Sequence, residues 1–281
     1  MTVGERIAGQ RALLSPGERL VAEVVLDDPQ SVAFGTVADL AGRAGTSGPT
    51  VLRLAARLGY DGFVSLQKAV QDELGRKLRP AAERIRQRPV TNALRRTLEI
   101  EVENVHSSLE AVEGDTYAAA VRLLARRRGQ AFVISGDATH GVAHGFASEL
   151  SLLRPAVELV TGSPIGVSRS LAHAAASDVA IVIDLRRHER WVVEATDLLA
   201  ERQVALVAVT DSLLSPIAAP AQATFVVSAD GAGPFDSQIG ILAVLNALVT
   251  GVAAALRRSA TDRLDRVEEA WHRSGALLDD D

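Results

Sequence analysis

The chain has 281 residues, a length that suits two domains of ordinary size. Apolar residues make up 47% of it and aromatic residues only 4%, so its cores must be built mainly from Leu, Val, Ile and Ala. The absence of cysteine excludes disulfides, thiolate metal sites and cysteine nucleophiles. The net charge of −5 is uneven, because residues 1–88 hold 13 Lys and Arg against 10 Asp and Glu. A basic N-terminal part permits contact with nucleic acid but does not establish it.

Short helices with clear start signals are predicted in the first part of the chain. Ser15-Pro16 is typical of a helix start, and apolar side chains at 20, 21, 24 and 25 predict one buried stripe. Thr36 and Ser47 are predicted to cap two further helices, with a tight turn at Gly45 between them. The predicted helices cover residues 17–26, 37–44, 48–59 and 63–78.

The segment from Thr36 to Gly59 has the layout of a helix-turn-helix. In its second helix, apolar residues at 51, 54, 55 and 58 are predicted to face the core. The residues expected outside, and therefore proposed to contact DNA together with Thr36, are Ser47, Gly48, Thr50, Arg53 and Arg57. The pattern alone leaves open an ordinary helical hairpin with solvated arginines.

A resemblance favours the DNA-binding interpretation. The stretch from Leu14 to Val70 resembles, without gaps, the N-terminal domain of the RpiR/MurR family of bacterial transcription regulators. The matching features are Leu14-Ser15-Pro16, Asp28-Pro29, Ala38-Leu40-Ala41, Ser47, Thr50-Val51-Arg53-Leu54 and Leu58-Gly59-Tyr60-Gly62-Phe63, with a departure at Gly48-Pro49. The resemblance implies a helix-turn-helix that reads a double-stranded DNA operator as a symmetric dimer or tetramer.

From residue 131 onward, short apolar runs alternate with helical segments. The runs AFVIS, VELV, DVAIVID, ALVAVT and TFVVS predict a parallel sheet covered by helices on both faces. The apolar stretch over residues 239–256 has nearly the length of a membrane span, but we expect a buried helix because Asn246 and Thr250 interrupt it. The fold class is therefore an all-α N-terminal domain followed by an α/β domain.

The α/β domain resembles the sugar isomerase (SIS) domain over residues 115–256, a flavodoxin-like sandwich. The resemblance rests on strand order, on Val209-Thr210-Asp211-Ser212 with Ser215-Pro216, and on Phe235-Asp236-Ser237. It implies a site for a phosphorylated sugar at two loops rich in hydroxyl groups. This chain has Gly136-Asp137-Ala138-Thr139-His140 and Asp184-Leu185-Arg186-Arg187-His188-Glu189 in those loops, so the usual serines are missing.

The altered loops predict a site that binds an anion by charge. The proposed ligand-binding residues are Gly136, Thr139, His140, Asp184, Arg186, Arg187, His188, Ser212 and Ser215. Alternatively, the site has degenerated and its arginines pair with Glu189, with Glu194 or with a neighbouring subunit. No carboxylate is placed as the acid or base of an isomerase, so we expect no enzyme activity. His140 and His144 share a helix face but lack a third ligand, so neither a metal nor a cofactor is expected.

These inferences give one predicted organisation. It consists of a DNA-binding domain at 1–77, a linker and connecting helix at 78–114, a SIS domain at 115–258, and a C-terminal helix with an acidic tail at 259–281. The predicted function is a cytoplasmic DNA-binding regulator, without a membrane segment, whose operator affinity changes when a phosphosugar-like anion binds. Two alternatives are a sugar-phosphate isomerase with an accessory helical domain and a DNA-binding protein whose SIS domain only oligomerises.

Overall fold

The computed structural model describes residues 3–78, 81–87 and 92–276. Its contacts divide the chain into two compact units, the first formed by residues 1–89 with 212–219 and the second by residues 90–211 with 220–281. The first unit contains the helices α1 (Val3–Gln10), α2 (Pro16–Asp27), α3 (Pro29–Phe34), α4 (Val37–Arg43), α5 (Gly48–Arg57), α6 (Phe63–Leu78) and α7 (Ala81–Gln87). The domain boundaries drawn from sequence stay a prediction.

The core of the helical unit forms where apolar faces of its short helices meet. Val21, Val25, Leu40, Leu54 and Leu66 are fully enclosed in it. The predicted stripe of α2 is wrong at one position, since Leu20 is 46% exposed and Ala22 is buried in its place. Helix α3 was not predicted; it begins because Asp28 caps it and Pro29 occupies its first turn.

The second unit is built on a five-stranded parallel sheet. Its strands are β1 (Ala131–Ser135), β2 (Val157–Val160), β3 (Val179–Ile183), β4 (Ala205–Thr210) and β5 (Ala223–Val226), in the order β2-β1-β3-β4-β5. Its helices are α8 (Ala93–Glu110), α9 (Gly114–Leu124), α10 (His140–Leu153), α11 (Pro164–Leu171), α12 (Arg190–Glu201), α13 (Ile239–Ala255) and α14 (Arg257–Ser274). The prediction of a parallel sheet alternating with helices is confirmed.

Helices cover both faces of the sheet, which explains why its central strands are apolar throughout. Every residue of β1, β3 and β4 is buried. Helices α9, α10 and α13 pack on one face, while α11 and α12 lie on the other. Strand order reverses between β1 and β3, where Ser135 pairs with Ile183, so the carboxyl ends of these two strands form the topological switch point.

The long apolar segment is a core helix in this fold. Helix α13 buries one side, including Ile241, Leu245 and Leu248, and packs against α8, α9 and α10. Among the described residues, no single helix has both the length and the apolar character to cross a membrane. Helices α13 and α14 have that length and apolar character only when they are counted as one segment, and the two helices are bent by 102° where they meet.

Candidate functional site

The turn between α4 and α5 is closed by backbone hydrogen bonds. Gly45 adopts a left-handed conformation with φ of 58°, and the Thr46 amide donates back to the Ala41 carbonyl at 2.9 Å. This arrangement ends α4 and redirects the chain within four residues. At the other end of α4, the exposed Thr36 forms a capping box with Asp39, and these hydrogen bonds hold the pKa of Asp39 below its ordinary value. The predicted helix-turn-helix geometry is therefore present.

Thr50 lies inside the unit rather than on its surface, so its predicted exposure is wrong. It is 5% exposed, because the start of α2 packs over it; a β-carbon added to Gly17 would lie 3.2 Å from the Thr50 methyl group. Its hydroxyl lies 3.0 Å from the Ser47 hydroxyl and accepts a hydrogen bond from Arg53 at 2.9 Å. Thr50 therefore orients the exposed Arg53 and has little surface of its own for DNA.

Arg57 is partly engaged by a buried carboxylate. Its Nε donates to Glu18 Oε1 at 3.1 Å, and the Glu18 side chain is 2% exposed while that of Arg57 is 41% exposed. Burial acts to raise the pKa of Glu18, but hydrogen bonds from Ser15 and the charge of Arg57 outweigh it and lower the pKa. Arg57 therefore ties the end of α5 to the start of α2, and the rest of its guanidinium remains at the surface.

The outer face of α5 contains three residues that sequence reasoning missed, in addition to the predicted Arg53. Pro49, Leu52, Arg53 and Ala56 are all exposed and lie at positions i, i+3, i+4 and i+7. This spacing is the signal in the sequence that could have identified Pro49, Leu52 and Ala56. Ser47 and Gly48 lie at the amino end of the same helix, where Gly48 approaches α4 so closely that an added β-carbon would lie 3.3 Å from Val37.

The second group of predicted residues lies at the switch point of the sheet. Gly136 follows β1, and Asp184 follows β3; a β-carbon at Gly136 would lie 2.8 Å from Asp184 Oδ1 and 3.0 Å from Glu189 Oε1. Any larger residue at 136 would have to shift these carboxylates, so glycine suits the close approach of the two loops. The buried Thr139 adds a second tie, since its hydroxyl donates to the Ile183 carbonyl at 2.9 Å.

The alternative in which the arginines pair with Glu189 or Glu194 is wrong for Arg186. Its guanidinium lies 3.0 Å from Asp236 and 3.6 Å from Asp211, and its backbone amide donates to Asp211 at 3.1 Å. The Glu189 carboxylate instead accepts hydrogen bonds from the Asp137 amide and, at 2.7 Å, from Trp191 Nε1. The physical reason is that residue 186 extends toward β4 and β5, whereas residue 189 turns back toward β1.

The remaining predicted ligand-binding residues differ in their burial and in their neighbours. His188 Nδ1 lies 3.0 Å from Asp184 Oδ2, while the exposed Arg187 is left-handed with φ of 67°. His140 begins α10, and its ring centroid is 6.4 Å from that of His144. Ser212 and Ser215 are buried, and both lie in the segment 212–219, which belongs by its contacts to the helical unit. Ser212 Oγ accepts a hydrogen bond from the Leu214 amide at 3.1 Å. The described residues contain no group of three or more metal-ligating side chains.

Comparison with known families agrees with this geometry. Residues 1–77 match the family model described as "Helix-turn-helix domain, rpiR family", and residues 117–251 match the model "SIS domain".

The chain combines an RpiR-family helix-turn-helix domain with a SIS domain.

Relatives and solved structures match the whole chain or its second domain. The HTH-type transcriptional regulator HexR of Escherichia coli is 27% identical over 98% of this chain and 96% of its own length. The sugar isomerase domain of an RpiR transcription factor from Sphaerobacter thermophilus is 28% identical, with a TM-score of 0.56, and covers 62% of this chain and 96% of that one. NanR of Vibrio vulnificus, solved with ManNAc-6P, has a TM-score of 0.58 at 18% identity, and the match covers 98% of each chain.

Two buried hydroxyls of the SIS domain also escaped sequence reasoning. Ser135 and Thr210 are the last residues of β1 and β4, and both side chains are enclosed. Neither hydroxyl oxygen has a hydrogen-bond partner within the part of the chain that the structure describes. Buried polar groups are nearly always paired, so these hydroxyls suit contact with a water molecule or a ligand. Their position as the last residue of each strand is the signal that could have identified them.

Proposed function

We propose that the protein is a sequence-specific DNA-binding transcription regulator of the bacterial cytoplasm. The observation that carries this proposal is Arg53, an exposed arginine on the outer face of α5 that is oriented by the buried Thr50. An arginine held in this way can make two parallel hydrogen bonds to a guanine edge or to a phosphate. Whole-chain similarity to regulators named HexR supports the same function.

The test is fluorescence anisotropy on DNA taken from immediately upstream of the coding region. We expect saturable binding that outcompetes random DNA and weakens as salt rises, because bound phosphates release counterions. Arg53→Ala should reduce specific affinity by about 1–3 kcal/mol, the range of a bidentate base contact. Lys68→Ala, which removes one exposed charge from α6, is the matched control. Equal loss in both variants would contradict a specific role for Arg53.

The SIS domain is proposed to bind a phosphorylated sugar or a related anionic metabolite at the switch point. Support comes from the shared fold of NanR, which was solved with ManNAc-6P, and from the unpartnered hydroxyls of Ser135 and Thr210. The Glu189 carboxylate accepts a hydrogen bond from the Asp137 amide. A backbone amide at the start of a helix is a typical hydrogen-bond donor to a phosphate group. A phosphate that binds there has to displace Glu189.

The second candidate is a DNA-binding protein whose SIS domain only associates with another copy. The observation that favours it is the internal pairing of Arg186 with Asp211 and Asp236, which leaves this cation neutralised. Thermal unfolding with a panel of sugar phosphates, including ManNAc-6P, separates the two candidates. A saturable rise in Tm supports ligand binding, and no shift across the panel supports the second candidate. Turnover of any sugar phosphate would contradict the proposal that the protein is not an enzyme.

A second copy of the chain is proposed to cover an apolar stripe on α8. Leu94, Leu98 and Val102 are at least 60% exposed and lie four residues apart, and Leu109 continues the same stripe. Symmetric dimers suit palindromic operators. Light scattering should therefore give a dimer or tetramer for the full chain, and Leu98→Asp should lower the mass. An unchanged mass would contradict this interface.

A further inference from the structure

A cavity of about 230 Å³ lies in the second unit, at the end of the strands opposite the switch point. Arg127, in the connection that enters β1, and Arg154, in the connection from α10 to β2, line it together with Arg263 and Arg266 of α14. Both connections lead into strands, so the cavity lies at the amino ends of β1 and β2. We refer to this cavity and its four arginines as the arginine pocket.

Arg154 gives the arginine pocket a fixed positive wall. It is 1% exposed and donates hydrogen bonds to the carbonyls of Leu124 and Gly129 at 3.0 and 2.7 Å. Burial lowers the pKa of its guanidinium, and the charge of Asp178 acts in the opposite direction. Among the described residues, Arg154 donates hydrogen bonds only to carbonyl oxygens, which hold the guanidinium in place without neutralising its charge.

Within the described part of the chain, the other three arginines form no ion pair with a carboxylate, although two of them have polar neighbours. Arg127 donates to the Ser259 hydroxyl at 3.4 Å, and Arg263 donates to the Ser151 carbonyl at 2.8 Å. Among the side chains that the structure describes, no carboxylate lies within ion-pair distance of Arg127, Arg263 or Arg266. Four like charges around one small space repel one another, so an anion bound between them would be favoured.

The size of the cavity limits the ligand. Drug-sized ligands fill about 300–1,000 Å³, so this pocket suits a smaller molecule. Guanidinium groups bind phosphate and carboxylate oxygens through paired N–H donors. We infer that the arginine pocket is a second ligand site, distinct from the switch point, for a compact phosphate-bearing anion with at least two negative charges. Binding would clamp α14 against the end of α10.

The first test measures binding of 3-phosphoglycerate and pyrophosphate to the full chain by calorimetry at constant ionic strength. The variant Arg127→Gln/Arg266→Gln removes two exposed guanidinium groups of the pocket. The matched control, Arg122→Gln/Arg258→Gln, removes two exposed guanidinium groups of α9 and α14 that do not line the pocket. We expect saturable binding of at least one probe to the wild type and the control, weakened about tenfold or more in the pocket variant. Equal affinities in both variants, or no saturable binding to the wild type, would overturn the inference.

The second test locates the bound anion by hydrogen exchange. Slower exchange of residues 259–267 in the presence of 3-phosphoglycerate is expected, since the ligand would hold α14 in place. Protection confined to residues 136–140 and 184–189 would place the ligand at the switch point and overturn the inference.

The third test measures the affinity of the wild type and the pocket variant for random-sequence DNA. If the pocket variant loses affinity for DNA and the small anions do not bind, the arginines contact a nucleic acid backbone, and the small-ligand site is wrong.

Discussion

The buried carboxylate of Glu18 should stabilise the helix-turn-helix domain by several kcal/mol. It accepts hydrogen bonds from the Ser15 amide at 2.8 Å and from Arg57 Nε at 3.1 Å. A hydrogen bond to a charged group contributes about 1.5–3 kcal/mol, so Glu18→Ala should cost about 3 kcal/mol or more. Glu18→Gln keeps one acceptor oxygen without the charge and should cost about half as much.

Hydrogen exchange of the full chain measures this loss at the affected helices. A loss of about 3 kcal/mol corresponds to about a hundredfold faster exchange of the most protected amides in α2 and α5. Strand amides at Val133 and Ile181 belong to the other unit and serve as an internal reference. Glu23→Ala, on the exposed face of α2, is the matched control and should change exchange little. Equal effects of Glu18→Ala and Glu23→Ala would refute the reasoning.

The same pair predicts a pH dependence with a definite sign. Because folding lowers the pKa of Glu18, its contribution is complete above the ordinary carboxyl value of about 4.3 and is lost as pH falls through the lower folded value. The stability difference between the wild type and Glu18→Gln should therefore be constant near neutral pH and shrink in acid. A difference that grows as pH falls would contradict this assignment.

Three further substitutions, the last with a matched control, test the two sites. Thr50→Val removes the hydroxyl that accepts from Arg53 and should weaken operator binding about three- to tenfold in anisotropy, with unchanged circular dichroism. Glu189→Gln should tighten binding of a phosphorylated effector in calorimetry, because a neutral side chain competes less for the loop amide; unchanged or weaker binding would argue against displacement. Gly136→Ala should lower Tm through its 2.8 Å clash, whereas Gly141→Ala, with open space around it, should maintain or raise Tm.

Local signals in the sequence were sufficient for most of the secondary structure. Ser15-Pro16 and Thr36 have short-range partners, Glu18 and Asp39, which lie three residues ahead, so their caps form as predicted. The sheet was predictable because β1, β3 and β4 are buried on both faces and are therefore apolar at every position or nearly so.

Side-chain partners distant in sequence could not be predicted. The helical pattern of α5 defines one face against the core, but α2 also covers Thr50, and nothing local to residues 47–57 indicates that second neighbour. Arg186 shows the same limit, because its partners Asp211 and Asp236 follow β4 and β5, and their proximity depends on strand order. Residue types therefore predict where a ligand site would lie but not how the charges around it are paired.

The position of β1 between two strands that follow it in sequence has a consequence for folding during synthesis. Strand β1 leaves the ribosome first, yet its partner β3 follows roughly fifty residues later, several seconds at ordinary translation rates. Until then, the apolar edge of β1 next to β3 has no backbone partner. Helices α2 to α6 pack mainly on one another, and all of them are synthesised before β1. A nascent chain would therefore contain the helices of the helix-turn-helix domain before the sheet of the SIS domain is complete. During this interval the unpaired edge of β1 is exposed, and a chaperone would be needed most.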